Sequence, residues 1–127
     1  MNIKTLKSIA ERLKKATMPD RDLDFDITAI IVPDAICQRY NEDDRKNEPF
    51  THWEYTGSID DACALCEHIF PGCEHGFYFF GHKMPRFAKA ELAKIGGVHV
   101  ENVRGATPAL ALCLALVRAL IEKEAAS

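Results

Sequence analysis

One segment of the chain, CALCEHIFPGCEHG, concentrates residues that bind metals. Zinc takes thiolate and imidazole ligands in tetrahedral sets, so three cysteines and two histidines suit it. On a helix, however, Cys63 and Cys66 fall on the apolar face, and the histidine that follows them points the opposite way. Free cysteine also packs as a small apolar residue. We therefore expect a packing role and no bound metal; a zinc site, if present, would use Cys66, Cys73 and His75.

A second candidate is NVRGATP, where a predicted strand runs into the last helix. Backbone N–H groups at a helix start attract anions, and a neighbouring arginine suits a phosphate. The segment lacks a glycine-rich fingerprint and a phosphate-loop lysine, and Thr107 followed by Pro108 is typical of a plain helix cap. We expect the cap. If the chain binds a nucleotide, its site would be formed by Arg104, Gly105 and Thr107.

The remaining polar motifs favour structure over chemistry. DRDLDFD alternates acids as a calcium loop does, but it lacks the glycine at the sixth position, and its acids suit the start of a helix. No serine, cysteine or histidine lies in a recognisable nucleophile motif, and no carboxylate pair stands out from the surface acids. We predict a protein that is not an enzyme and that uses no cofactor.

The length, composition, cysteine count and net charge of the chain limit the class of protein it can be. A chain of 127 residues, 47% hydrophobic and 28% charged, can bury one core, so we expect a single domain over residues 1–127. Five cysteines fit reduced thiols better than a disulfide framework. A net charge of −3 argues against a general nucleic-acid binder, and the longest apolar run is about half the roughly 20 residues of a membrane span. We expect a cytoplasmic protein without a membrane partner.

Hydrophobic periodicity predicts the elements that must position these residues. Helical spacing predicts a helix within the first 17 residues, a second capped by Asp20, and a third that starts at Ser58. GFYFFGH is the clearest strand, and because it is apolar on both faces it predicts a layer on each side. RFAKAELAKI favours helix by composition, but the turn before it predicts a hairpin strand. VHVENV alternates as a third strand does.

The last helix is more apolar than a surface helix needs. Its large apolar residues cover an arc of roughly 200°, about twice the stripe that faces a core. We therefore expect it to pack against the sheet and also against a neighbouring helix or a second subunit, which predicts a homo-oligomer. The fold class that follows is α+β, with a small, mainly antiparallel sheet sandwiched between helical layers and a buried C-terminal helix.

Three segments in order resemble the phage ABA-sandwich domain family: PDRDLD, YTGSIDDACAL and GATPALALCLALVRAL. The resemblance covers most of the chain, and the last segment is its most specific part. It implies a sheet between helical layers and an origin in a bacteriophage or prophage; the family brings no established activity. The polar insert Asn41–Pro49 and the extra cysteines at 63–73 depart from the family pattern.

The resemblance and the residues together predict a non-catalytic phage accessory protein that acts by binding. Its partner would be a host protein or a small nucleotide signal used in host defence. Two alternatives remain: a structural or scaffolding component of a phage assembly, and a zinc-dependent enzyme built on the cysteine and histidine segment.

Overall fold

The computed structural model describes residues 2–31, 54–80, 87–93 and 99–126. In this part of the chain, helices α1 (Ile3–Lys15), α2 (Arg21–Ile31) and α3 (Ile59–Ile69) come first. Strands β1 (Glu74–Phe80), β2 (Phe87–Ala93) and β3 (His99–Gly105) follow, and helix α4 (Pro108–Ala125) ends the chain. The polar insert Asn41–Pro49 and the predicted hairpin turn lie outside the described residues.

The three strands form an antiparallel sheet in the order β1–β2–β3. The register is continuous between β1 and β2, whereas a bulge interrupts the β2–β3 pairing at Glu91. Asn102 has a φ of 56° at this bulge, a left-handed conformation that asparagine tolerates better than most residues. Along β2, Ala88, Ala90 and Leu92 are buried and alternate with more exposed residues. One face of the sheet therefore covers the core, and no described element covers the other, which we name the open face.

Helix α4 is the middle layer of the fold. It packs on the buried face of the sheet, mainly over β2 and β3, and on its other side against α1 and α3. Every residue from Ala109 to Val117 is buried, which explains the apolar arc of roughly 200°. The arc is covered within one chain, so it no longer supports a homo-oligomer, which stays a prediction.

Local capping sets the ends of these helices. Thr107 Oγ1 accepts the Leu110 N–H, and Ser58 Oγ accepts the Asp61 N–H. Asp61 does not complete a reciprocal capping box: its carboxylate accepts the N–H of Glu54, which lies upstream of Ser58. The side chain of Asp61 therefore fixes the turn that leads into α3.

The α+β class, the antiparallel sheet and the buried C-terminal helix are confirmed. The layer order is sheet, α4, then α1 with α3, so in the described residues the helical packing on the sheet comes from one side. The aromatic strand is accordingly less covered than its composition predicts. Phe77 is 41% and Tyr78 61% exposed, because β1 is an edge strand of the described sheet and α4 lies mainly over β2 and β3.

Two of the segments that carry the family resemblance meet in a buried polar contact. Asp24 is 1% exposed, and its Oδ1 lies 2.9 Å from the Thr56 backbone N and 3.0 Å from Thr56 Oγ1. Thr56 Oγ1 also accepts the Asp20 N–H at 2.8 Å. The side chain of Thr56 therefore joins the start of α2 to the turn before α3.

Candidate functional site

A cleft lies where the C-terminal end of α1, the start of β2 and the end of β3 meet. Its volume is about 300 Å³, at the lower end of the range for small-molecule sites. We name it the basic cleft, because its lining includes three basic side chains and, among the residues described, no acidic one. The lining residues are Lys14, Lys15, Ala16, Thr17, Phe87, Arg104, Gly105 and Ala106.

The arginine of this cleft lies on an aromatic ring. The guanidinium carbon of Arg104 is 4.0 Å from the centroid of the Phe87 ring, a distance typical of a cation–π contact. Within the described residues Arg104 makes no ion pair. A guanidinium that stacks by its face keeps its N–H edge for an acceptor, and its planar fork matches phosphate or carboxylate oxygens.

The two lysines belong to the last turn of α1. Both are exposed, and the chain leaves the helix at Ala16. Leu6, Ile9 and Leu13 bury the opposite side of the helix, so packing of α1 against α4 holds Lys14 and Lys15 beside β3. Three positive charges, two from α1 and one from β3, therefore surround one cavity, which can take an anion.

The structure separates the roles of the three residues predicted to bind a ligand. Arg104 and Gly105 line the basic cleft, whereas Thr107 caps α4 with its hydroxyl. A Cβ on Gly105 would lie 2.7 Å from the Ala111 N and 2.8 Å from its Cα. Glycine is needed here for the close approach of β3 to the first turn of α4.

The cysteine and histidine segment is split between two places. Cys66 and Cys73 are buried in the core, where Cys73 Sγ lies 3.6 Å from the Cys66 carbonyl oxygen. Burial raises the pKa of both thiols, which disfavours the thiolate that binds zinc. His75 lies on β1 and lines a different cavity, and in the part of the chain that is described no three His, Cys, Asp or Glu side chains are placed to hold a metal ion.

Two other cavities offer less consistent chemistry. One, of about 460 Å³, is lined by residues 15–22 of the α1–α2 connection, where acidic Asp20 and Asp22 offset the basic side chains. The other, of about 340 Å³, lies at the far end of the sheet among Glu74, His75 and Glu91, with His99 and Ala93 completing its lining. Neither gathers charges of one sign with an aromatic ring as the basic cleft does.

Sequence reasoning missed Lys14, Lys15 and Phe87 as members of the site. The two lysines read as the solvated face of an amphipathic helix, and Phe87 as part of a strand with ambiguous propensity. The pairing of β2 with β3 brings Phe87 beside Arg104, and the packing of α1 beside β3 brings the two lysines there. The alternation of Arg104 with Val103 could have placed the arginine on the open face of the sheet.

Comparisons of the chain with protein-family models, curated proteins and solved structures give no match. Among the described residues, no helix has the combined length and hydrophobicity that crossing a bilayer requires.

Proposed function

We propose that this protein is a non-catalytic binding protein whose ligand is a small nucleotide held in the basic cleft. The observation that carries the proposal is the convergence of Lys14, Lys15 and Arg104 with the Phe87 ring around one cavity. A nucleotide joins an anionic phosphate to a flat base. This cleft offers cations for the first, and it has an aromatic ring and the face of a guanidinium for the second.

The wider setting follows from the family resemblance. We propose that the protein is encoded by a bacteriophage or prophage and acts in the cytoplasm of the bacterial host. Capture of a nucleotide signal would then lower its free concentration and antagonise a host response. Binding to a host protein remains the alternative partner.

The first experiment is native mass spectrometry of untagged protein purified from bacterial cells without chelator. Added mass on the subunit, released by denaturation, would identify a ligand that copurifies. Isothermal titration calorimetry with adenosine monophosphate, adenosine and inorganic phosphate then separates the contributions of base and phosphate. We expect the monophosphate to bind most tightly, because it alone can use both halves of the cleft.

Substitution of Arg104 tests the placement of the site. Arg104→Ala removes both the charge and the surface on Phe87, so we expect the affinity for the monophosphate to fall at least about tenfold, or about 1.4 kcal/mol. Lys4→Gln is the matched control, since Lys4 lies ten residues, or about 15 Å, from Lys14 along the same helix. Binding that is equal in wild type and Arg104→Ala would refute this site.

A further inference from the structure

The basic cleft does not end at β3, because a row of side chains continues from it across the sheet. In the strand register Arg104 is paired with Lys89, and Lys89 is paired with Tyr78. Residues paired across neighbouring strands point to the same face. Buried Ala88 and Ala90 flank Lys89 on β2, so this row lies on the open face, away from α4.

The far end of the row is an exposed aromatic residue. Tyr78 is 61% exposed on the edge strand β1. Two strand spacings separate it from Arg104, which is about 10 Å. An aromatic ring at an exposed position on a sheet can stack against a nucleic-acid base. Lys89 lies between the ring and the arginine, where a phosphate joining two nucleosides would pass.

The opposite end of the open face carries the opposite charge. Glu91 follows Lys89 by two residues on the same face of β2, and exposed Glu74 and Glu101 lie further along the sheet. The His99 imidazole lies 3.7 Å from the Glu101 carboxylate at this end. Carboxylates repel phosphates. The surface that favours a polyanion therefore ends at Glu91, the next residue after Lys89 on this face of β2. A long single strand that runs along the sheet would meet these acids.

We propose that the ligand consists of two nucleotides joined by a phosphodiester, and that Tyr78 and Lys89 form the second half of its site. This proposal rests on the proposed function. The first nucleotide occupies the basic cleft, Lys89 and Arg104 bind the linking phosphate, and the second base stacks on Tyr78. The basic and aromatic half of the open face thus binds a dinucleotide, and the acidic half excludes a longer strand.

The test compares three probes by isothermal titration calorimetry: adenosine monophosphate, the linear diadenosine dinucleotide with a 5′ phosphate, and an adenosine single strand of about twelve nucleotides. We expect the dinucleotide to bind wild-type protein at least about tenfold more tightly than the monophosphate. We also expect no further gain for the longer strand.

Variants assign this gain to the open face. Tyr78→Ala should weaken dinucleotide binding about five- to 150-fold, the range expected for loss of one base stack, and Tyr78→Phe should keep it. Lys89→Gln should weaken it as well, and Lys89→Arg should restore it. Monophosphate binding, confined to the cleft, serves as the internal control for folding in each variant.

The outcomes separate this inference from the proposed function. If the monophosphate binds through Arg104 but the dinucleotide binds no more tightly, or Tyr78→Ala leaves its affinity unchanged, the second half of the site is refuted and the cleft stands. If the longer strand binds far more tightly than the dinucleotide, the ligand is a single-stranded nucleic acid and the length limit is refuted. If no probe binds, both proposals fail together.

Discussion

Replacing Thr56 by valine tests the contact that joins α2 to the turn before α3. The substitution keeps the shape of the side chain and removes its hydroxyl, which accepts the Asp20 N–H at 2.8 Å and lies 3.0 Å from Asp24 Oδ1. The hydroxyl has one proton, so it donates to one acceptor at a time. At a pH above the pKa of Asp24, its ionised carboxylate is a stronger acceptor than the Asp20 carbonyl 3.2 Å away.

The magnitude follows from the two bonds lost. A hydrogen bond to a carboxylate contributes about 1.5–3 kcal/mol, and an N–H left without its acceptor costs about 1 kcal/mol. Because Asp24 is 1% exposed, water does not readily replace the missing donor. We expect the free energy of unfolding to fall by about 2.5–4 kcal/mol. A domain of ordinary stability, about 5–15 kcal/mol, would remain folded.

Urea unfolding followed by far-ultraviolet circular dichroism measures this loss through the shift of the midpoint at unchanged slope. Thr17→Val is the matched control, because Thr17 is exposed in the α1–α2 connection, and its effect should stay within about 0.5 kcal/mol. A Thr56→Val loss no larger than that of the control would refute the assignment of a stabilising role to the hydroxyl.

Two further predictions concern Gly105 and Asp24. Gly105→Ala places a Cβ 2.7 Å from the backbone N of Ala111, so α4 must move. We expect the free energy of unfolding, measured with urea, to fall by about 1–3 kcal/mol. Gly76→Ala is the control and should change it little, because the nearest contact of the added Cβ is the Glu91 side chain at 3.4 Å. Burial raises the pKa of Asp24, partly offset by hydrogen bonds from Thr56 and by Arg21. The folded state therefore binds the Asp24 proton more tightly than the unfolded state, and this stabilising contribution is lost as the pH rises through the folded-state pKa. Asp24→Asn cannot ionise, so its stability relative to wild type should increase from about pH 3 to about pH 7. A stability difference between Asp24→Asn and wild type that does not change over this pH range would contradict the raised pKa of Asp24.

Much of the fold could be predicted because local rules and tertiary packing agree. Asp20, Ser58 and Thr107 each cap the helix they were predicted to cap, with the side-chain oxygen on the expected N–H groups. The β2 segment is the instructive case, since its Ala, Lys, Glu and Leu favour helix. Pairing with β1 and β3 on both sides overrides that propensity, and only the adjacent turn pointed to it.

The layer order could not be predicted from composition. A strand apolar on both faces predicts two covering layers, but β1 lies at a sheet edge where coverage is partial. The last helix is covered as its broad apolar arc predicts, but the arc does not identify the elements that cover it. Periodicity states how much of a helix is buried and leaves open whether α1, α3 or another subunit covers it.

In the candidate site, the residues that are adjacent in sequence could be predicted together, and the residues that are distant in sequence could not. Arg104 and Gly105 are adjacent in sequence and mark one wall of the cleft, and alternation along β3 turns one to the open face and the other to the core. Lys14 and Lys15 precede them by about 90 residues and carry no local sign of a shared site. Their approach requires α4 to lie between α1 and the sheet, with α1 reaching β3 at its end. Helix α4 contributes no charge to the basic cleft, but its position brings the charged residues together. Substitutions that shift α4, such as Gly105→Ala, should therefore weaken ligand binding as well as lower stability.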